Sequence, residues 1–485
     1  MMLAMIGHQT QSGRRMSSVP TLMTNLGPAM SLNDSASRLQ LQPLQPEDQL
    51  YAPLDKARAT QELSKLEVFL RNSAKTPNAF AKCAFVGNRG SGKSTYLFHL
   101  EHELEEAKLF TPVHVFLDPS LESDCDYSDV FLLMVNEIAD QFQKRGHPVD
   151  QAELAKVSLW FAEITLDRTS EWKKEIGLTT EAEASVKTGI PAIFSLKLLA
   201  KLKSMIVGSE TSRKQIRQRM QNYASDLRER MNDFLDHART ILKDAGEPDR
   251  LLIVQDNLDR IRPREMAQRL FDTGGDMLLD IRADLIYTAP LALNLAPLDL
   301  SRIFPHVFTM PNVKVRLRKG KPHKPGIDGL VALIGRRLSL SLIFESTKVA
   351  RFLAEKSGGS VRDLIRMLDD AQLQAQVDGK LRVDMASAKA AVRKAATNFT
   401  RLLRPGSVYY PILADVHLTK TEFGVPEGEA TKKGVADARE FFAELIGNGS
   451  VLEYNGDDSW HDVHPAVCEI QQFQDALAKA SAPQA

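Results

Sequence analysis

An α/β fold built on a parallel sheet is predicted by three features of this 485-residue chain. Short apolar runs at 82–86, 113–118, 251–256, 283–290 and 307–311 read as buried strands. Helical apolar rhythm fills most of the sequence between them. Directly after the first run comes Gly87-Asn88-Arg89-Gly90-Ser91-Gly92-Lys93-Ser94-Thr95, a match to G-x-x-x-x-G-K-[ST]. The residues from Thr95 to Glu101 continue in a helical pattern, so strand, glycine-rich turn and helix follow in the order the motif requires.

Each residue type in the motif has a chemical reason. Glycine reaches backbone conformations closed to other residues, which lets consecutive N–H groups turn inward around a phosphate. Lys93 brings a positive charge to the β- and γ-phosphates, and Ser94 offers a hydroxyl to Mg²⁺. The helix that starts here adds the favourable end of its dipole. Residues 87–95 together are therefore the expected nucleotide cradle, with Ser94 also a metal ligand.

Composition narrows the remainder. Lys and Arg total 62, as do Asp and Glu, so net charge favours neither nucleic acid nor membrane as a partner. Cys83, Cys125 and Cys468 lie far apart without a C-x-x-C pair, which fits a reducing cytoplasm and disfavours structural zinc. No apolar run reaches membrane-spanning length without charge. Residues 1–40 are expected to be a disordered tail or an over-extended start, because patterned sequence begins only near Leu44.

A helix is expected from Lys56 to Arg71, with Leu63, Leu66 and Leu70 on one face, placed either to cover a base or simply to pack. The second strand, bounded by Pro112 and Pro119, precedes a helix from Ser128 to about Gln143. A long helical insertion, about 120–250, then separates two halves of a site. Its 189–207 part is apolar but carries Lys197, Lys201 and Lys203. It reads as packing on the protein's own surface or as an interfacial helix, not as a span. From Thr211 to Lys243 the apolar positions make one long amphipathic helix, either half of an intramolecular hairpin or a coiled-coil contact.

The run 251–256 ends in Asp256, the carboxylate expected to orient Mg²⁺ opposite Ser94. The water-activating acid commonly found next is replaced by Asn257. Asp259 is the nearest substitute, with a helix N-cap as its alternative role. Thr288, polar within an apolar strand, is expected to face the γ-phosphate where open α/β sheets bind ligands. Arg302, just before the fifth strand, is expected on the same strand-end side, within reach of a neighbouring copy's γ-phosphate. Residues 314–325 form a dense basic run without aromatics, suited to gripping phosphates or to being a solvated loop.

Residues 313–398 read as a helical lid, in which Ser357-Gly358-Gly359-Ser360 starts a helix with Arg362 in its first turn. From about 399 to 485, helices at 409–415 and 435–446 precede two short strands joined by Asn455-Gly456, a hairpin signal. This order predicts a winged helix. Asp437, Glu440 and Glu444 offset Lys432, Lys433 and Arg439 on the helix before the wing, which lowers the case for DNA reading. Trp460 and His461 are either packing residues or contacts at the wing tip.

On these residues the chain resembles the AAA+ ATPases, at their initiator-like, archaeal-ATPase-like and STAND-like end. The resemblance rests on the P-loop, the 251–256 strand with its Asn-Leu-Asp-Arg tail, Thr288 at the sensor-1 place, and Gly359–Leu364 at the sensor-2 place. The Leu-Asp-Arg tail is also similar to KAP-type ATPases. It implies a P-loop core (41–312), lid, winged-helix domain, ATP with Mg²⁺, and a subunit boundary reached by Arg302. It also implies catalytic roles for Thr288 and Arg362 beside Asp259. The leading expectation is an ATP-driven switch acting on a partner protein or on copies of itself, a build also found in antiphage defence. The alternatives are a DNA-binding initiator or loader using the winged helix and 314–324, and a nucleotide-binding scaffold with negligible hydrolysis.

Overall fold

The computed structural model describes residues 27–77, 79–150, 223–295, 299–404, 408–421, 432–454 and 459–482, with scattered positions between 153 and 218. The expectations for 1–26, for 189–207 and for the Asn455-Gly456 turn fall outside or mainly outside these residues.

Five strands, β1 (Lys82–Gly87), β2 (Thr111–Phe116), β3 (Leu251–Asp256), β4 (Asp284–Pro290) and β5 (His306–Thr309), form one parallel sheet in the order β2-β3-β4-β1-β5. Side chains alternate along each strand, so one apolar run serves two cores. Cys83, Phe85, Leu252, Val254, Ile286 and Phe308 face one layer. Ala84, Val86, Leu251, Ile253, Leu285 and Tyr287 face the other.

The first layer is made by α2 (Glu62–Ala74) and α3 (Lys93–Glu106), through Leu63, Leu66, Leu70, Leu97, Leu100 and Leu104. The second is made by α4 (Tyr127–Lys144), α5 (Ala224–Asp244) and α6 (Arg264–Asp272). It contributes Phe131, Ile138, Phe142, Met231, Phe234 and Phe271. Leu63, Leu66 and Leu70 are the face that sequence periodicity picks out for burial.

Several boundaries differ from expectation, each for a local reason. β2 starts at Thr111 and includes Pro112, which an edge strand tolerates because its outer side needs no N–H. The expected 56–71 helix is two: α1 (Asp55–Arg58) stops at Ala59, in the left-handed region at φ 52, and α2 restarts at Glu62. In the 211–243 stretch the described residues 213–214 and 217–218 are helical, but Tyr223 is a non-helical, exposed turn residue and α5 restarts at Ala224. Residues 29–39, expected within a disordered tail, are tied down. Ala29 exchanges backbone hydrogen bonds with Arg337 and Ser339, and Ala29, Leu32 and Leu39 are buried.

Beyond the sheet, α7 (Lys324–Arg337), α8 (Thr347–Lys356), α9 (Val361–Val377) and α10 (Met385–Leu403) form a helical layer. The C-terminal part has α11 (Tyr409–Thr419), α12 (Lys432–Gly447) and the antiparallel pair β6 (Val451–Tyr454) and β7 (Trp460–Val463). A further helix, α13 (Gln471–Ser481), packs on α11 and was not foreseen. Trp460 stacks on Tyr454 at 4.6 Å and His461 is buried, so neither is a tip contact. Among the described residues, no helix is long and apolar enough to cross a membrane.

Candidate functional site

The glycine-rich turn leaves the end of β1, which β4 and β5 flank, and delivers Lys93 as the first residue of α3. Gly90 sits at φ 88, and a Cβ there would lie 2.5 Å from Cβ of Arg362. Glycine is thus required both for conformation and for close approach of the lid. The Arg362 N–H donates to the Gly90 carbonyl at 3.2 Å, which joins α9 to the loop through backbone. Gly359, just ahead of α9, has φ 85 and leaves only 1.7 Å between a Cβ and the Val313 carbonyl oxygen.

Lys93 is buried beneath the loop. Its ammonium donates to the carbonyls of Gly87 (2.9 Å) and Asn88 (3.2 Å) and pairs with Asp259 at 2.8 Å. Asp259 lies in a single turn, Leu258–Arg260, entered through Asn257 at φ 68. Asparagine tolerates this left-handed conformation better than most residues, which accounts for its type here. Asp259 is no helix N-cap; it is the counter-ion of the loop lysine.

Asp256 ends β3 and is buried. Burial would push its carboxyl up, but His114, Ser94 and the Asn257 N–H outweigh this and hold it at about 2. The Asn257 N–H lies at 2.7 Å and His114 Nε2 at 3.4 Å. On its other side His114 Nδ1 lies 2.8 Å from Glu101. Burial would lower the imidazole, yet the charge of Glu101 and the bond to Asp256 push it up to about 10. Ser94 and Asp256 therefore stand together, as a Mg²⁺ site needs, with an ionised carboxylate braced from behind.

Thr288 is fully buried on β4. Its oxygen accepts from the Leu258 N–H at 3.2 Å and its hydroxyl lies 3.4 Å from the Gln255 carbonyl. It positions the turn that carries Asp259 and does not line the cleft described below. Arg302 is exposed on a turn four residues before β5 begins. It does not line the cleft described below. Thr95 accepts from the Leu44 N–H at 3.2 Å, binding the entering segment to the loop.

An open cleft lies over the loop. Its polar wall carries Arg58, Arg89, Lys93, Arg260, Arg337 and Arg362 against Asp55 and Asp259. Its apolar wall includes Leu41, Tyr51, Leu54, Met310, Leu333 and Ile365. Burial first, then repulsion from Arg89, Arg260 and Arg366, lowers the affinity of Arg362 for its proton. Such a surplus of facing cations is a cost that an anion would relieve. Ser91 Oγ is buried with no hydrogen-bond partner among the described residues, another group left open beside the loop.

Two contributors escaped the sequence reading. Arg58 is wholly buried and donates to the carbonyls of Ser91 (2.5 Å) and Pro311, bracing the loop; burial lowers its guanidinium to about 10. Nothing in the local pattern marks it. His114 does leave a signal, a histidine amid an apolar strand. The Asn88 side chain turns away from the cleft altogether and is taken up below.

No family model and no curated protein matches this chain. Distant likenesses to solved structures exist. Cdc6p from Pyrobaculum aerophilum is 14% identical, with 94% of this chain and 100% of that one covered and a TM-score of 0.38. The ORC2 protein of Aeropyrum pernix in ADPNP–ADP complexes is 12% identical, with 89% and 97% covered and a TM-score of 0.41. The RuvB Holliday junction branch migration motor of Thermotoga maritima is 11% identical, with 86% and 95% covered and a TM-score of 0.32. At these identities and scores, nothing about binding or activity transfers to this chain.

Proposed function

We propose that the chain is an AAA+-type, ATP-dependent switch whose nucleotide lies between the sheet and the helical layer of α7 and α9. The observation that carries this reading is the cationic cleft over the 87–95 turn, lined by Ser94, whose hydroxyl bonds to the buried Asp256 behind it. The apolar wall suits a base, and Arg89, Arg260 and Arg362 suit the phosphates. Mg²⁺ held by Ser94 and Asp256 would neutralise phosphate charge. Lys93 can exchange Asp259 for a phosphate oxygen, which frees that carboxylate to accept a proton from water. Thr288 holds the turn in place for this. Arg302 is assigned to the γ-phosphate of a neighbouring copy, since it is exposed and away from its own cleft.

Titration of the whole chain with fluorescent ATP, with and without Mg²⁺, tests the reading. Binding lost in Lys93→Ala supports it, and unchanged affinity in that variant rejects it. Turnover in Asp259→Asn separates slow hydrolysis from a pure scaffold. Mass measurement with and without ATP shows whether Arg302 has a neighbour to reach.

A second reading, DNA loading, is favoured by one observation. Within 314–324, residues 317–322 form an exposed turn closed by pairing of Arg316 with Pro322, with Arg318, Lys319 and Lys321 on its outside. DNA binding whose salt slope falls when these three are neutralised would support it.

A further inference from the structure

Asn88 is a P-loop residue whose side chain serves a different part of the molecule. It is buried, and its Oδ1 accepts from Asn312 Nδ2 at 2.7 Å and from the Glu453 N–H of β6 at 2.9 Å. Its Nδ2 lies 3.4 Å from the Val451 carbonyl and 3.5 Å from that of Ile446 at the end of α12. Asn312 in turn donates twice to the Glu453 carbonyl, from N at 3.1 Å and from Nδ2 at 3.3 Å. One amide thus reaches β6 and α12 together, over 350 residues along the chain.

The backbone of Asn88 faces the other way. Its carbonyl accepts from Lys93 at 3.2 Å, inside the cradle. Two positions on, Gly90 bonds to Arg362 of α9. The same β6–β7 pair also meets the start of α9: the Tyr454 hydroxyl donates to the Gly358 carbonyl at 2.6 Å, and His464 lies 3.6 Å from Asp363. Arg262, beyond the Asp259 turn, donates to the Gly447 carbonyl at 2.6 Å. The C-terminal hairpin and the end of α12 therefore together touch the loop, the lid helix and the tail of β3.

We propose that Asn88 is a positioning residue through which the C-terminal hairpin becomes part of the phosphate site. This rests on the nucleotide reading above and adds its regulation. The loop can close around a phosphate only with its Asn88 peptide held in register, and the Asn88 side chain is held by β6 and Asn312. Seating of the hairpin and occupancy of the site then favour each other reciprocally, as linkage requires. A partner that lifts 432–463 would weaken nucleotide binding, and nucleotide would resist the lifting. The bonds involved are buried and mostly amide-to-backbone, the kind whose loss is felt because the abandoned groups stay dry.

Hydrogen exchange of the full chain, read at 451–454, tests the proposal with ADP as the probe and ADP affinity measured independently by titration. ADP is expected to slow exchange there roughly fivefold or more in the wild type, the low end of ordinary coupling. Asn88→Ala should abolish that protection. Asn312→Ala lies outside the loop and guards against the first variant failing to fold. It should weaken ADP binding several-fold, by about the factor lost from the protection. Wild type that binds ADP with no change at 451–454 overturns the coupling, as does Asn312→Ala with undiminished affinity and protection. Wild type that binds no ADP overturns the nucleotide reading itself, and the coupling with it. The independent titration tells the two failures apart.

Discussion

The two ends of the parallel sheet each bury a carboxylate and treat it in opposite ways. At the strand-start end, Asp284 is fully covered by protein. Arg250 donates to both its oxygens at 2.7–3.0 Å, and Ser73 Oγ (2.7 Å) and the Ala81 N–H (2.8 Å) complete the set. At the strand-end side, Asp256 is braced from behind by His114, while the cleft above it gathers arginines with few acids to match. The first end is electrostatically closed and works for the fold. The second is left incomplete, and an anionic ligand with a divalent cation would complete it. The difference teaches that burial alone does not mark a functional acid; what matters is whether the protein finishes its coordination.

The largest expected effect is at the closed end. Asp284→Ala strands the Arg250 charge and should destabilise the fold by about 3–5 kcal/mol, because breaking a buried pair costs more than the pair contributes. A denaturant titration measures it. Nucleotide affinity of the folded fraction should stay unchanged, and a parallel loss of affinity would erase the contrast between the two ends.

Next in size is an acid effect on the hairpin beside the loop. His461 is buried with no charged partner among the described residues, and burial lowers its imidazole from 6.5 to about 4. The unfolded chain takes up this proton near pH 6.5 and the folded chain only near 4. Stability from this group is therefore complete above 6.5 and falls as pH drops towards 4, by up to about 3 kcal/mol. Melting of wild type and His461→Phe between pH 7 and 4.5 tests it: the variant should lose less stability on acidification. Equal loss in both would place the acid sensitivity elsewhere.

At the open end the effects should fall on the ligand and spare the fold. Lys93→Ala should reduce nucleotide affinity roughly 10–100-fold, the range of one lost charge-assisted contact. Its unfolding midpoint should move little, because the Asp259 it abandons lines the open cleft beside Arg260 and Arg362, which offset the carboxylate left behind. Smallest of the set, Thr288→Val should cost about 1 kcal/mol of stability, for one buried hydrogen bond to the Leu258 N–H. It should slow turnover without weakening binding, since Thr288 acts on the Asp259 turn. A matched loss of affinity would mean that Thr288 reaches the nucleotide directly.

Much of this arrangement is legible in sequence where its cause is local. The five strands are short apolar runs, and the helices announce themselves by periodicity at Leu63, Leu66 and Leu70 or at Met231, Phe234 and Ala238. The break at Ala59 was not visible, since no glycine or proline stands there to mark it. Thr288 was read as facing phosphate. Its polarity was informative, but its partner is a backbone N–H thirty residues away.

The sequence by itself determined the loop, its lysine and serine, the acid that ends β3, and the strand–helix order that brings them to one edge. These follow from backbone conformations and periodicities set within a few residues. Only the tertiary structure decided which way each polar side chain spends its hydrogen bonds. Asn88 faces β6 and not the cleft, His114 backs Asp256, Arg58 braces Ser91, and Asp259 holds Lys93. Those choices depend on which distant group arrives within about 3 Å when the layers pack, and hydrogen bonding has no reach beyond that distance to leave a trace in local pattern.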